Sequence, residues 1–152
     1  MERIIIKFRE ATVDDVGAII GLYSDDALGK KREADSADKR YIKAFENLQN
    51  EPNNYIYVVE KNGQVIGTAQ ITFISHLNRK GQKRAQIESI HIDNEYRGQG
   101  LGKKLMAFLI EQAKEQGCTI VQLTSDKTRE RAHQFYIDLG FEETHIGMKK
   151  TL

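Results

Sequence analysis

The sequence predicts one α/β domain over residues 1–152, a single mixed sheet layered with helices. Three observations carry this. Runs of β-branched and aromatic residues alternate with amphipathic segments of period 3.6. An Asn62-Gly63 pair separates two of the β-rich runs. The strongest amphipathic stretch, residues 101–116, lies between two later strands, as a crossover helix does.

Residues 4–8 are β-branched and read as a first strand. Thr12-Val13-Asp14-Asp15 has the form of a capping box with Asp in place of Glu, opening a helix that buries Val16, Ile19, Ile20 and Tyr23. Residues 24–35 break that pattern with Gly29, two aspartates and Lys30-Lys31-Arg32, and read as a polar loop. A second helix is predicted from about 37 to 50, with Tyr41, Ala44, Phe45 and Leu48 on one face and Glu51-Pro52-Asn53 ending it. Residues 55–60 and 65–74 read as antiparallel neighbours, because Asn62-Gly63 supplies the positive φ angles of a tight hairpin. A basic loop over 76–83 leads to a strand at 85–92. The helix over 101–116 aligns Leu101, Leu105, Phe108, Leu109 and Ala113, with Gly117 placed to cap it. A short strand over 119–124, a helix over 129–139 and a closing strand over 144–150 complete the order, and no repeat interrupts it.

Composition narrows the function classes. With 39% hydrophobic residues, 30% charged and a formal net charge of +1, the chain lacks the basic excess that coating nucleic acid or an anionic membrane requires. Cys118 is the lone cysteine, which rules out an internal disulfide and suits a reducing compartment. The apolar run at the start is too short for a signal peptide, and none approaches membrane-spanning length. The expectation is a cytoplasmic protein with neither nucleic acid nor membrane as partner.

The chemistry concentrates after the strand at 85–92. Ile90-His91-Ile92-Asp93-Asn94-Glu95-Tyr96-Arg97-Gly98-Gln99-Gly100-Leu101-Gly102-Lys103-Lys104 runs from a strand end through a glycine-rich turn into the best helix. Amides at a helix start, with the helix dipole behind them, favour an anion such as a pyrophosphate. Glycines let the backbone approach its oxygens. A Walker loop fails, since three residues rather than four separate Gly98 from Gly102 and no Ser or Thr follows Lys103. A dinucleotide fingerprint fails too, because the spacing is Gly98-x-Gly100-x-Gly102. A glycine-rich turn without a ligand is the plain alternative.

Arg97-Gly98-Gln99-Gly100-Leu101-Gly102 instead resembles the (Gln/Arg)-x-x-Gly-x-(Gly/Ala) signature of the GNAT acetyltransferase superfamily. Ala132-His133-Gln134-Phe135-Tyr136-Ile137-Asp138-Leu139-Gly140-Phe141 resembles its second motif, and the element order fits over nearly the whole chain. The resemblance implies a GNAT-like fold with a mostly antiparallel sheet, about four helices, and strands 85–92 and 119–124 running parallel and splaying at their carboxyl ends. It implies acetyl-CoA as cosubstrate, and the sequence shows no metal-ligand cluster, so no metal is expected. Pantetheine would lie in the gap, pairing with backbone of Ile90, His91 and Ile92. The pyrophosphate would meet the loop of Arg97, Gly98, Gln99, Gly100, Leu101, Gly102 and Lys103, and Tyr136 would reach the thiol end. One departure stands out. Relatives often carry Asn where this chain has Arg129.

Acetyl transfer to an amine needs a neutral amine, a stabilised oxyanion and a proton for the departing thiolate. Tyr136 matches the superfamily's thiolate-protonating tyrosine; the alternative is a core tyrosine beside Phe135. Glu88, sharing a face with Gln86 and Ile90 by the two-residue period, is the candidate base acting through water. The alternative is a partly exposed strand glutamate. The oxyanion would take a backbone amide of the same strand. His91 alternates away from Glu88, His145 faces either solvent or the acceptor, and His76 is a solvated loop residue. Cys118 reads as a small buried residue rather than a nucleophile.

The acceptor is left open between charges. Asp25, Asp26, Glu33 and Glu88 suit a cationic amine such as a polyamine or aminoglycoside. Lys30, Lys31, Arg32, Arg79, Lys80, Lys83 and Arg84 suit an anionic one, and the Phe135-Tyr136…Thr144-His145 ending resembles aminoalkylphosphonate acetyltransferases. A small-molecule primary amine is the leading acceptor. A peptide acceptor, or a CoA-binding regulatory module without turnover, are the alternatives. A homodimer through late strands is expected from the resemblance.

Overall fold

The computed structural model describes residues 3–152. It divides into two compact units, the first ending at Gln122 and the second spanning Leu123–Leu152. In the first, β1 (Ile6–Glu10) leads through a 3-10 turn (Val13–Asp15) into α1 (Val16–Tyr23), α2 (Ala27–Arg32) and α3 (Lys39–Gln49). Then follow β2 (Asn54–Lys61), β3 (Gln64–Ser75), a single turn α4 (Asn78–Gly81) and β4 (Lys83–Ile92). A second 3-10 turn (Asn94–Tyr96), α5 (Leu101–Glu115) and β5 (Ile120–Gln122) complete it. The second unit holds α6 (Glu130–Asp138).

The sheet order is β1-β2-β3-β4-β5, antiparallel throughout except for the parallel pair β4–β5. The β2–β3 hairpin turns on Asn62 (φ 48°) and Gly63 (φ 85°), with Lys61 opposite Gln64, as the Asn-Gly pair predicts. Ile56 and Tyr57, adjacent on β2, point to opposite faces of the sheet. Phe108 of α5 lies 5.1 Å from the Tyr57 ring and 5.3 Å from Phe8, so α5 covers one face. Val16, Ile20 and Phe45 cluster with Ile56, so α1 and α3 cover the other. With both faces covered, β3 is buried without a break from Ile66 to Ala69. Its one buried hydroxyl, on Thr68, donates to the Tyr57 carbonyl at 2.9 Å. Leu105 and Leu109 of α5 are fully buried, each contributing about 1.5–3 kcal/mol through apolar area removed from water.

The Thr12–Asp15 capping box is present: the Thr12 N–H donates to Asp15 Oδ2 at 2.7 Å. At the far end of α5, the Gly117 N–H bonds Lys114 O and the Cys118 N–H bonds Ala113 O, the paired closure expected at that glycine. Two readings are corrected. The stretch 24–35 is not wholly a loop; Asp26 accepts from the Gly29 N–H and starts α2, whose last turn carries Lys30, Lys31 and Arg32. Residues 144–150 form no strand; the one backbone bond given for them is local, from the Thr144 N–H to the Glu142 carbonyl.

Candidate active site

The site begins with an irregularity in β4. Glu88 pairs with Gln70 and His91 with Thr68, so two residues of β4, Ser89 and Ile90, stand opposite the single residue Ala69. Ser89 takes φ 54° to absorb the extra length. Cross-strand partners share a face, and Thr68, Gln70 and Thr72 lie on one. Gln86, Glu88 and His91 therefore share the α1 face, while Ile90 turns to the other. This corrects the simple two-residue alternation: Glu88 keeps Gln86 as a neighbour, loses Ile90 and gains His91. Glu88 is exposed and His91 buried. The Tyr23 ring, at the end of α1, lies 5.4 Å from the His91 ring. Burial first, then the charge of Glu33, push the Tyr23 hydroxyl up to about 12, and a hydrogen bond with the Ser89 side chain partly offsets them.

The glycine loop follows. Asp93 accepts from the Glu95 N–H at 2.9 Å and sets the 3-10 turn. Arg97 Nε donates to the Ile92 carbonyl at 3.1 Å, tying the loop to the strand end. Its guanidinium also meets Asp25 at 3.6 Å, a contact between this loop and the segment after α1. Gly98 (φ 77°) and Gly100 (φ 78°) take left-handed backbone that side chains disfavour, and a Cβ at either would meet open space. Gly100 is the N-cap of α5, and the first intrahelical bond runs from the Lys104 N–H to the Gly100 carbonyl. The amides of Leu101, Gly102 and Lys103 thus lack helical acceptors and face the start of a fifteen-residue helix. Buried Leu101 anchors that start in the core. Successive free donors at a helix start, with open space at two glycines, fit a pyrophosphate.

The strand edge beside it is also available. β4 and β5 pair only at Arg84↔Ile120, Ala85↔Val121 and Gln86↔Gln122. Beyond Gln86, β4 continues to Ile92 without β5, so the stretch holding Ile90, His91 and Ile92 has no strand on that side within the first unit. An extended chain carrying amides fits such an edge.

Tyr136 belongs to the second unit. It is half-buried on α6, between Phe135 (5.3 Å) and Phe141 (5.9 Å). Burial pushes its hydroxyl up, with Arg129 acting in the opposite sense. Arg129, the departure from the family pattern, is the N-cap residue of α6.

The remaining candidates separate. His145 is exposed, with Nδ1 2.7 Å from the Thr144 hydroxyl. His76 is half-buried rather than fully solvated, its Nδ1 at 3.1 Å from the Ile74 carbonyl. Burial raises the Cys118 thiol, which keeps it protonated and suits a packing role. Among the described residues no group of three or more His, Cys, Asp or Glu is placed to hold a metal, and no helix is long and apolar enough to cross a membrane. Tyr23, Tyr41 and Ser89 were not read from the sequence as site residues. The aromatic positions signalled only core, and Ser89 gave no sign of the bulge.

The fold and this site define an acetyltransferase. The family model for the acetyltransferase (GNAT) family matches residues 17–141, and the chain belongs to that family. Its sequence is 25% identical over 148 residues to the aminoalkylphosphonate N-acetyltransferase of Salmonella typhimurium, covering 97% of this chain and 92% of that one. Among solved structures, one described as a transcriptional regulator from Bacillus halodurans superposes with TM-score 0.93 at 37% identity, covering 97% and 100% of the two chains. Glucosamine-6-phosphate N-acetyltransferase from Arabidopsis thaliana superposes with TM-score 0.79 at 26% identity, covering 97% and 98%.

Proposed function

We propose that the protein is an acetyl-CoA-dependent N-acetyltransferase that acetylates the primary amine of a small molecule in the cytoplasm. The observation that carries this is the α5 N-terminus: unbonded amides at Leu101–Lys103 beside two left-handed glycines with open space above them. Both units act as one domain on this reading, supported by a family match that runs across their boundary at Gln122. Acetyl-CoA supplies the acetyl group as a thioester, so one C–N bond forms, one C–S bond breaks, and an amine yields an amide and free CoA.

The chain's own groups do the rest. Arg97, Gly98, Gln99, Gly100, Leu101, Gly102 and Lys103 hold the pyrophosphate, and the free stretch of β4 at Ile90–Ile92 orients the pantetheine. Glu88 takes the proton of the acceptor ammonium, directly or through water, and passes it to solvent. Tyr136 gives its Oη proton to the sulfur and recovers one from the amine or solvent. A backbone amide of β4 beside the Ser89 bulge stabilises the oxyanion.

The test is thermal stabilisation by CoA. Gly100→Asp places bulk and negative charge where the pyrophosphate would sit, and stabilisation should vanish; undiminished stabilisation removes the assignment. The structure described as a transcriptional regulator favours a second reading, a CoA-binding regulatory module. Free CoA released from acetyl-CoA across an amine panel separates the two.

A further inference from the structure

Resting on the acetyltransferase reading above, we propose that the acceptor is a small amphipathic monoamine: an ammonium head on an apolar body, with no anionic group. It is held in the cavity between α1, α3 and the sheet, with its head against Glu33.

The cavity has a volume of about 220 Å³. That lies below the roughly 300 Å³ at which pockets for drug-sized ligands begin, so the occupant is small. Ile20, Phe45, Leu48 and Ile56 make much of its wall apolar. Its polar groups are Tyr23, Glu33, Tyr41 and Gln70. Among the described residues, Glu33 is the one charged group in the wall. It follows the C-terminus of α2, which sits tight against α1 because Gly29 has no side chain to collide with the Tyr23 carbonyl. The Tyr41 hydroxyl donates to Glu33 Oε2 at 3.1 Å and accepts from the Ala34 N–H at 2.8 Å, which fixes the carboxylate in place. Tyr23 feels the Glu33 charge and bonds Ser89, the residue next to Glu88. The polar end of the cavity is thereby linked to the strand position of the candidate base.

A carboxylate as the charged group of a wall that is otherwise uncharged favours one cation and disfavours any anion. The basic residues that left the acceptor's charge open in the sequence do not line the cavity. Lys30, Lys31 and Arg32 are exposed on α2, and Arg79 and Lys80 are exposed in the α4 turn. The Lys83 ammonium lies 6.0 Å over the Phe73 ring, and Arg84 donates to Gln122 at 3.4 Å. A phosphonate or sugar phosphate would therefore meet Glu33 without a compensating cation. A polyamine would bury charges that a single carboxylate cannot match. An apolar body is what the remaining wall accepts.

The experiment measures CoA release by the full chain with acetyl-CoA and hexylamine, benzylamine, spermidine, 2-aminoethylphosphonate or glucosamine 6-phosphate. Hexylamine or benzylamine should exceed both anionic acceptors in kcat/KM by tenfold or more. Glu33→Gln removes a charge-assisted contact, so KM for hexylamine should rise about 10–100-fold, far more than kcat falls. Lys31→Ala should leave both parameters unchanged, and melting curves confirm that each variant is folded. Faster turnover of an anionic acceptor, or an unchanged KM in folded Glu33→Gln, overturns the acceptor class and leaves the acetyltransferase standing. Silence across the whole panel, with CoA still bound, overturns the enzymatic reading and this one with it.

Discussion

In the proposed reaction Tyr136 and Glu88 have opposite proton duties, and their surroundings differ: Tyr136 is half-buried and Glu88 exposed. Burial raises the Tyr136 hydroxyl, which suits the proposed role of proton donor rather than base. Tyr136→Phe preserves the packing against Phe135 and Phe141 and removes only the hydroxyl. Turnover should fall about 10²–10⁴-fold while acetyl-CoA affinity stays nearly constant. Unchanged turnover would mean that thiolate release needs no help from this residue. Glu88→Gln should slow turnover mainly at low pH, where more of the acceptor is ammonium, and high pH should partly restore it. A loss that is flat across pH would make Glu88 an acceptor-binding group instead. Single residues were the least legible scale. The type and spacing of Tyr136 and the three glycines showed in the sequence, because motif chemistry is local. The side of the strand on which His91 sits did not, because one serine at positive φ reverses it and serine carries no strong signal for that backbone.

Elements were legible where a long apolar stripe repeats, and less so where a few polar contacts hold a short piece. The helix read over 101–116 is Leu101–Glu115, since five apolar positions on one stripe fix it independently of its neighbours. The six-residue α2 has no such stripe and depends on the Asp26 cap and the basic last turn. The junction of β1 with α1 is a comparable polar fastening. Arg9 donates to Asp15 Oδ2 at 2.7 Å and Oδ1 at 3.0 Å, while Asp15 also accepts from the Thr12 N–H. The Arg9 hydrogen bonds, helped by Thr12, hold the Asp15 carboxyl below its usual range against the opposing effect of burial. A depressed folded pKa contributes stability above the unfolded value of about 3.9, and that contribution is lost as pH falls through the folded value. Asp15→Asn should therefore cost about 1–2 kcal/mol at neutral pH, through the weakened cap and the lost charged hydrogen bonds. Thermal melts of the two proteins should converge as pH drops below about 4. A difference in melting temperature that persists undiminished in acid would assign the effect to packing rather than to the charge.

At the scale of the whole molecule, sheet order followed from local signals: one Asn-Gly turn, one basic loop and one crossover helix place four of five strands. The fate of the last segment did not, because a strand exists only when a neighbour accepts its hydrogen bonds. Residues 144–150 keep a strand's alternation, with Ile146 and Met148 flanking Gly147, yet form none. Ile146 is 77% exposed and Met148 87% exposed. Exposed apolar side chains so close together form a surface that association covers. We expect a homodimer in which this segment of each copy meets the second copy. Light scattering at micromolar concentration should give twice the 17.4 kDa of the chain. Replacing Ile146 and Met148 together with lysine should halve that mass without lowering the melting temperature in the way a core substitution would, since neither side chain is buried within one copy. A wild-type chain that scatters as a monomer removes the dimer outright. A double variant that stays dimeric moves the contact away from this segment.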